Sequence, residues 1–211
     1  MFIYTGQRFG FFLLVLGHAT DEQPHYTYML KPVFFENDQL LIHPFRPDDL
    51  ERFEQLSNDI FSILSDNRTL KFIPGKRLHS LEEAELFLQT MIVNYHSGRN
   101  YIHFITNKNL NKVVGMIDLI SPQVAKEHYQ MDHYPFFIEF YLSGLATGCY
   151  IMTEILPPVV DRILAQGIPS IGAVVNRNNT AAKKVLEKAQ FTYRAQFDIH
   201  QDFYETAVTS I

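Results

Sequence analysis

Short runs of apolar, β-branched and aromatic residues recur along the chain between polar turns, and such runs predict strands. The runs at 101–106 and 113–120 flank an Asn-rich turn at 107–111, so we expect them to pair as antiparallel strands. Further strands are predicted at 39–45, 136–142, 170–175, 191–197 and 203–209.

Other segments place apolar residues every three or four positions, which is the spacing of one helix face. A helix is predicted to begin at Pro47, because proline is favoured in the first helical turn and Asp48 and Asp49 follow it. A second helix is predicted after Ser80, which forms a capping-box pattern with Glu83. Two more helices are expected at 150–166 and 180–189.

Two parts of the pattern are less regular. Pro157 and Pro158 lie inside the third predicted helix, where proline removes backbone donors, so either a kink or a late helix start is expected. The polar segment 121–134 is predicted to be a loop, and 144–148 a loop of small residues. The resulting order, βααβββαβαββ, is typical of an α+β domain with a mixed sheet.

The sequence is divided into an N-terminal extension, 1–30, and a domain, 31–211. The extension carries an apolar run, 9–16, that is too short to span a bilayer, since spanning takes about 20 residues. The run has the length of the apolar part of a signal peptide, but only Arg8 precedes it and a poor cleavage site follows. A strand or short helix packed on the domain, a signal peptide and a translation start at Met29 stay open as alternatives.

The composition is that of a globular protein, with 46% hydrophobic and 19% charged residues, and 18 Phe and 11 Tyr supply an aromatic core. The net charge of -5 argues against nucleic acid as the main partner, because a phosphate backbone attracts basic surfaces. Cys149 is the only cysteine, so neither an intrachain disulfide nor a cysteine metal cluster can form. We therefore expect a cytoplasmic protein.

The segment 168–191 predicts a strand, an Asn-rich turn and an amphipathic helix. Asn178 or Asn179 is well placed to cap the start of that helix. Taken alone, these residues indicate a capped surface helix that joins two strands. The apolar stripe of the helix consists of Ala181, Ala182, Val185, Leu186 and Ala189.

The same segment resembles the GNAT superfamily, and within it the RimJ/RimL-like ribosomal-protein acetyltransferases. Residues 39–49 resemble the opening strand and helix of that family, 113–117 its central Val-Val-Gly strand, and 138–142 the strand along its cofactor. The resemblance implies a mixed, mostly antiparallel central sheet flanked by helices, with acetyl-CoA as co-substrate. The signature positions are Asn176, Asn179, Ala182, Val185, Leu186, Glu187, Lys188, Gln190, where the family usually has Gly, and Phe191.

The resemblance also implies where acetyl-CoA binds. Its pyrophosphate would lie on free N–H groups at a helix N-terminus, where an anion is favoured. The family's Gln/Arg-x-x-Gly-x-Gly/Ala turn aligns with Thr147, Tyr150 and Met152, and none of the three matches. The cofactor-binding residues implied by the resemblance are Phe140, Leu142, Thr147, Gly148, Cys149, Tyr150, Ile151, Met152, Asn176 and Asn179.

Acetyl transfer to an amine needs a polarised thioester carbonyl and a base for the amine proton. Glu139 is the candidate base, because the resemblance places its strand beside the cofactor and apolar neighbours would raise the pKa of its carboxyl. Strand alternation could equally direct it to solvent. Tyr141 is the candidate acid, since the positions of the family's Ser and Tyr hydroxyls are Ala182 and Leu186 here. His103 is a weaker candidate base.

No metal site is predicted. His128 and His133 flank Asp132, but a solvated loop is the simpler interpretation without a further ligand near in sequence. The sequence thus predicts an acetyl-CoA-dependent N-acetyltransferase acting on a primary amine, either a protein N-terminus or a small amine. Because the phosphate turn is altered, the alternative is a non-catalytic GNAT-like module that binds a peptide or pairs as a homodimer through its sheet.

Overall fold

The computed structural model describes residues 30–207. The apolar run at 9–16 and the other interpretations of residues 1–29 therefore lie outside the described residues. The strands are β1 (Phe35–Glu36), β2 (Leu40–His43), β3 (Asn100–Asn107), β4 (Lys112–Ile120), β5 (Phe136–Leu142), β6 (Ser170–Asn176), β7 (Thr192–Gln196) and β8 (Gln201–Ala207). The helices are α1 (Phe53–Ser65), α2 (Leu81–His96), α3 (Pro122–His128), α4 (Ile151–Leu164) and α5 (Thr180–Lys188).

The strands of residues 30–207 form one eight-stranded sheet in the order β1-β2-β3-β4-β5-β6-β8-β7. Neighbouring strands are antiparallel except for β5 and β6, which run parallel. The predicted hairpin at 101–106 and 113–120 corresponds to β3 and β4. The expectation of a mixed, mostly antiparallel sheet flanked by helices is therefore confirmed.

The two faces of the sheet are covered by different helices, because successive strand residues point to opposite faces. Ile117 and Ile138 belong to a core cluster with α4 and α5, whereas the neighbouring Met116 belongs to a cluster with α1 and α2. The face under α1 and α2 is called the α1–α2 face below. None of the helices among residues 30–207 combines the length and apolar character needed to cross a bilayer.

Three helix starts can be compared with the local sequence. The Ser80 hydroxyl accepts a hydrogen bond from the N–H of Glu83 (3.3 Å), so the predicted cap of α2 is confirmed. The segment that begins at Pro47 forms a short 3₁₀ turn first, and α1 begins only at Phe53. Helix α4 begins at Ile151 and includes both internal prolines, so a start after them is wrong.

The expectation of a loop over 121–134 is wrong in part, because α3 occupies its first half. Ser121 caps α3 by accepting from the N–H of Val124 (3.4 Å), and Pro122 provides the first helical residue. Only Val124 and Ala125 are buried on this short helix, so it shows no repeating apolar face from which a helix could be predicted.

Two signature positions have a clear backbone reason. A Cβ atom at Gly115 of β4 would lie 2.6 Å from the carbonyl oxygen of Tyr141, so only glycine fits there. At the end of α5, Gln190 has φ of 63°, and the N–H groups of Gln190 and Phe191 donate to the carbonyls of Glu187 and Leu186. This is a Schellman motif, which explains why the family usually has Gly at the position of Gln190.

Candidate active site

The parallel strands β5 and β6 meet only at their amino ends. Their pairing consists of Phe136 with Ile171 and Phe137 with Gly172. Beyond these pairs β5 stays with β4 and β6 stays with β8. A cleft, called the β5–β6 cleft below, therefore opens between their carboxyl ends, which is where open α/β sheets bind ligands.

The backbone of β5 presents donors to this cleft. The N–H of Ser143 donates to the carbonyl of Val114 on β4 (2.9 Å). Because hydrogen-bonding direction alternates along a strand, the N–H groups of Phe140 and Leu142 point away from β4, toward the cleft. The Thr69 hydroxyl donates to the carbonyl of Leu142 (2.8 Å), so the connection between α1 and α2 reaches the same edge. Both Phe140 and Leu142 were implied to be cofactor-binding residues.

The turn between β5 and α4 is exposed at Thr147, Gly148, Cys149 and Tyr150. Gly148 has φ of 84°, and a Cβ atom there would meet nothing within 4 Å. Tyr150 has φ of 60° and is 79% exposed, so a bulky residue holds a left-handed conformation that favours glycine. The departure from the family's glycine pattern therefore falls on a backbone position with glycine-like geometry.

Helix α4 begins at this turn, which follows the carboxyl end of β5. Its first helical hydrogen bond runs from the N–H of Glu154 to the carbonyl of Tyr150 (3.1 Å). Helix geometry leaves the N–H groups of Ile151, Met152 and Thr153 without an intrahelical acceptor. These donors and the helix dipole favour an anion, although the Met152 side chain itself is buried.

Asn176 and Asn179 lie where β6 turns into α5, on the other side of the cleft. The side-chain oxygen of Asn179 accepts from the N–H of Ala182 (3.1 Å), so Asn179 rather than Asn178 is the cap of α5. The side-chain oxygen of Asn176 accepts from the N–H of Asn178 (2.9 Å). Both asparagines thus shape the turn that places the N-terminus of α5 beside the cleft.

Glu139 lies on β5 with its side chain on the α1–α2 face and 27% exposed. Its carboxylate accepts a hydrogen bond from the Lys76 ammonium (2.9 Å) and a short one from the Tyr141 hydroxyl. Burial alone would raise the pKa of Glu139, but the charge of Lys76 and the two hydrogen bonds outweigh it and hold the pKa below its usual value. The expectation that apolar neighbours raise this pKa is therefore wrong.

Asp118 of β4 lies directly opposite Glu139 and was not identified from the sequence. It is buried, and its Oδ2 accepts from the side-chain amide of Asn100 (2.8 Å). Among the described residues, Oδ1 of Asp118 has no hydrogen-bond partner. Burial and the nearby Glu139 raise the pKa of Asp118 to about 6. An acidic residue within the apolar run of β4 was the sequence signal that could have drawn attention to it.

A small cavity of about 10 Å³ lies beside Asp118 and Lys76, enough for about one water molecule. Tyr141 is buried, and burial together with Glu139 raises its pKa well above the usual value, so its hydroxyl keeps its proton. The arrangement can accept a proton at Glu139 and can hold a second proton at Asp118 near pH 6. The cavity is lined by Leu64, Lys76, Phe87, Ile102, Asp118 and Tyr141.

The other candidate residues lie apart from this cluster. His103 is buried, its Nε2 accepts from the N–H of Val33 (3.1 Å) and its Nδ1 bonds the carbonyl of Tyr101 (2.9 Å). Burial lowers the pKa of His103 to about 4, so it is a neutral structural residue. His133 pairs with Glu205 (3.1 Å). Over residues 30–207, no three His, Cys, Asp or Glu side chains are grouped so that they could hold a metal ion.

Comparison with known proteins agrees with this geometry. Residues 39–192 match the family described as acetyltransferase (GNAT) domain. The uncharacterized N-acetyltransferase YoaA of Bacillus subtilis (strain 168) is 25% identical over 158 residues, which cover 74% of this chain and 81% of YoaA.

Two solved structures show the same fold at low sequence identity. The ribosomal-protein-S5-alanine acetyltransferase from Vibrio fischeri superposes with a TM-score of 0.64 and 16% identity, covering 83% of this chain and 96% of that chain. The microcin C7 self-immunity acetyltransferase MccE, solved in complex with acetyl-CoA and AMP, gives a TM-score of 0.61 and 16% identity, covering 82% of this chain and 94% of that chain.

The chain therefore belongs to the GNAT acetyltransferase family. It is an acyltransferase of the class that moves an acetyl group from acetyl-CoA to an amine, as the signature in 168–191 predicted.

Proposed function

We propose that the β5–β6 cleft holds acetyl-CoA and that the acceptor amine approaches from the α1–α2 face, where Glu139 takes its proton. The observation that carries this proposal is the position of Glu139 on the strand that also borders the cleft. One short strand thereby offers backbone donors at its edge and a carboxylate on its face. The groups that would hold the acetyl donor and the carboxylate that would act as base thus belong to the same strand.

The donor side of the proposal rests on three groups. The N–H groups of Phe140 and Leu142 point toward the cleft and would polarise the thioester carbonyl. The turn of Thr147, Gly148, Cys149 and Tyr150 and the first N–H groups of α4 would receive the pyrophosphate. Half-buried apolar side chains beside the cleft, Phe140, Leu142, Ile151, Ala182 and Val185, would contact the pantetheine arm.

On the acceptor side, Glu139 is ionised at neutral pH and can accept a proton directly or through one water. Tyr141 stays the candidate acid for the departing thiolate, although its hydroxyl donates to Glu139 and its raised pKa makes it a weaker acid than a free tyrosine. Because Glu139 and Asp118 together carry more negative charge than Lys76 neutralises, the site favours an acceptor that arrives as an ammonium ion.

We propose a primary amine as acceptor, with a protein N-terminus as the first candidate. The named activity of the Vibrio fischeri relative, acetylation of a ribosomal protein, supports testing peptides first. A cytoplasmic location and a homodimer stay predictions from the sequence.

Binding is tested by thermal-shift titration with acetyl-CoA. A ligand that binds the native state raises the melting temperature. At a ligand concentration of 100 times Kd, the free energy of unfolding increases by about 2.7 kcal/mol. Turnover is then followed as thiol release with a peptide that has a free N-terminal alanine, against the same peptide with its N-terminus acetylated. No thermal shift at millimolar acetyl-CoA would refute the placement of the cofactor.

The role of Glu139 is tested by Glu139→Gln, which removes the base but keeps the shape. Turnover should fall by about 10²-fold or more, while the acetyl-CoA thermal shift is retained. Glu51→Gln is the matched control, since Glu51 is exposed and lies outside the cluster. Unchanged turnover in Glu139→Gln would remove Glu139 as the base.

Two variants of Asn179 distinguish its role as a helix cap from a role in binding acetyl-CoA. Asn179→Ala removes the cap of α5 and should cost about 1 kcal/mol of stability, whereas Asn179→Asp keeps a capping oxygen. If Asn179 also contacts acetyl-CoA, Asn179→Asp will restore the melting temperature of the free protein but not the affinity. Full recovery of both would limit Asn179 to its capping role.

A further inference from the structure

Lys76 holds a primary amine at the proposed base. It ends a short 3₁₀ turn, Pro74–Lys76, in the connection between α1 and α2. Its ammonium lies 2.9 Å from Oε2 of Glu139 and 5.8 Å from the centre of the Tyr141 ring. Its side chain is only 18% exposed, so the amine is directed into the site rather than into solvent.

This contact places a primary amine within reach of the proposed base, in an ion pair that raises the pKa of Lys76 and lowers that of Glu139. A general base must lie within about 2.6–3.2 Å of the group whose proton it removes. The distance from the Lys76 ammonium to Glu139 lies in that range. Lys76 also contacts β5 on the α1–α2 face, from which the external amine is proposed to enter. The connection that carries Lys76 also touches the cleft edge through Thr69 and Leu142.

We propose that Lys76 is an internal acceptor, so that the enzyme transfers an acetyl group from bound acetyl-CoA to its own Lys76. This rests on the proposed function, since it uses the same base and the same acetyl donor. It identifies Lys76 as a modification site and predicts that an external amine must displace its ammonium to reach Glu139.

The reaction balances without a further reagent. The ammonium of Lys76 gives one proton to Glu139, and the neutral amine attacks the thioester carbonyl to form a C–N bond. Collapse of the tetrahedral intermediate breaks the C–S bond and expels the thiolate, which takes the second nitrogen proton. The products are acetylated Lys76, CoA with a free thiol and one proton, which leaves Glu139 for solvent.

Other lysines of the chain lack this placement. Lys71 lies on the same connection but is exposed, with its ammonium 5.2 Å from the centre of the Phe72 ring. Lys183 is bonded to a carboxylate, Asp202, but that pair joins α5 to β8, away from the α1–α2 face. The proposal therefore requires selectivity for Lys76 over Lys71 and Lys183.

Acetylation would change the site electrostatically. The charged and titratable groups around Glu139 are Lys76, Asp118, Tyr141 and, at longer range, Tyr129. Lys76 is the cation among them, and its acetylation removes the charge that lowers the pKa of Glu139. Glu139 would then be a stronger base for an external amine, so self-acetylation would prime the site.

The test uses the wild-type protein and acetyl-CoA alone, with peptide mapping by mass spectrometry over time. We expect Lys76 to gain one acetyl group at least tenfold faster than Lys71. Because the transfer is intramolecular, the fraction acetylated at a given time should not depend on protein concentration. The rate should change little with pH around neutrality, since the proton passes from Lys76 to Glu139 within the site, whereas uncatalysed acetylation should rise by about tenfold per pH unit. Glu139→Gln should abolish the selectivity.

Lys71→Arg is the matched control and should leave acetylation of Lys76 unchanged. Equal labelling of Lys71 and Lys76 would indicate uncatalysed chemistry and would overturn the proposal, as would a rate that grows with protein concentration. If acetyl-CoA binds and external peptides are acetylated while Lys76 stays unmodified, this inference alone fails. If acetyl-CoA does not bind at all, the proposed function fails with it.

Discussion

Asp118 and Glu139 lie directly opposite each other on the antiparallel strands β4 and β5, with their side chains on the same face. Side chains at such positions are about 5 Å apart at Cβ, so two ionised carboxylates would repel each other. Lys76 bonds Glu139 and lies near enough to Asp118 for each to affect the charge of the other. The site is therefore a coupled group of two carboxylates and one cation, and its protonation should depend on pH near neutrality.

The stability contribution of Asp118 should decrease as pH rises. Its pKa is about 6 in the folded protein against 3.8 ordinarily, so the folded state binds the proton more tightly than the unfolded state. Below about pH 4 this group contributes its full share to the free energy of unfolding. Between pH 4 and 6 that contribution, up to about 3 kcal/mol, is lost. Asp118→Asn should remove that loss.

Urea unfolding of wild type and Asp118→Asn at several pH values measures the difference. The variant should gain relative to wild type between pH 4 and 6 and stay level above pH 7. Asp132→Asn, at an exposed position, is the control and should show no such trend. A constant difference across the range would mean that Asp118 titrates normally in the folded protein.

Lys76→Met should raise the pKa of Glu139, because the cation that lowers it is removed. The acidic limb of kcat/KM should therefore move to higher pH. The two carboxylates would also lose their counter-ion, and stability at pH 8 should fall by up to about 3 kcal/mol and partly recover on acidification. Lys71→Met is the control for both readouts. An unmoved acidic limb would argue that Glu139 does not set the pH profile.

Tyr150→Gly should relieve the strain of a left-handed non-glycine residue and stabilise the protein by about 1 kcal/mol. Little burial is lost, since Tyr150 is mostly exposed. Glycine would also allow phosphate to approach the turn more closely, so acetyl-CoA should bind more tightly, as measured by calorimetry. Tyr193→Gly, at an exposed strand position, should instead destabilise the protein and leave affinity unchanged. Weaker binding by Tyr150→Gly would indicate that the ring itself contacts the cofactor.

Gln190→Gly should stabilise the protein by about 1 kcal/mol, because the C-terminal cap of α5 needs the left-handed conformation that glycine adopts without strain. Thermal unfolding measures the gain. The control is Glu187→Gly, inside α5, which should cost about 1 kcal/mol. A loss of stability in Gln190→Gly would mean that the Gln190 side chain makes a contact that outweighs the backbone strain.

Local sequence determined most of the fold. Alternating apolar residues indicated the long strands, Ser80 and Asn179 capped the helices they precede, and the signature from Asn176 to Phe191 identified the family. These features depend on neighbours within a few residues, so one sequence is enough to read them. Helix α3 was not predicted because it has only one turn of apolar residues. These residues are buried by packing against the sheet, which the local sequence does not show.

The chemistry of the site was decided by the tertiary structure. Glu139 could be named from its strand, but Lys76 is 63 residues away and Asp118 belongs to the adjacent strand. Strand register sets Asp118 opposite Glu139, and the path of the α1–α2 connection delivers Lys76 to both. The charge of Lys76, together with the hydrogen bonds that it and Tyr141 donate, therefore lowers the pKa of Glu139. The apolar neighbours in the sequence predicted a raised pKa, because they do not show which charges lie nearby in space.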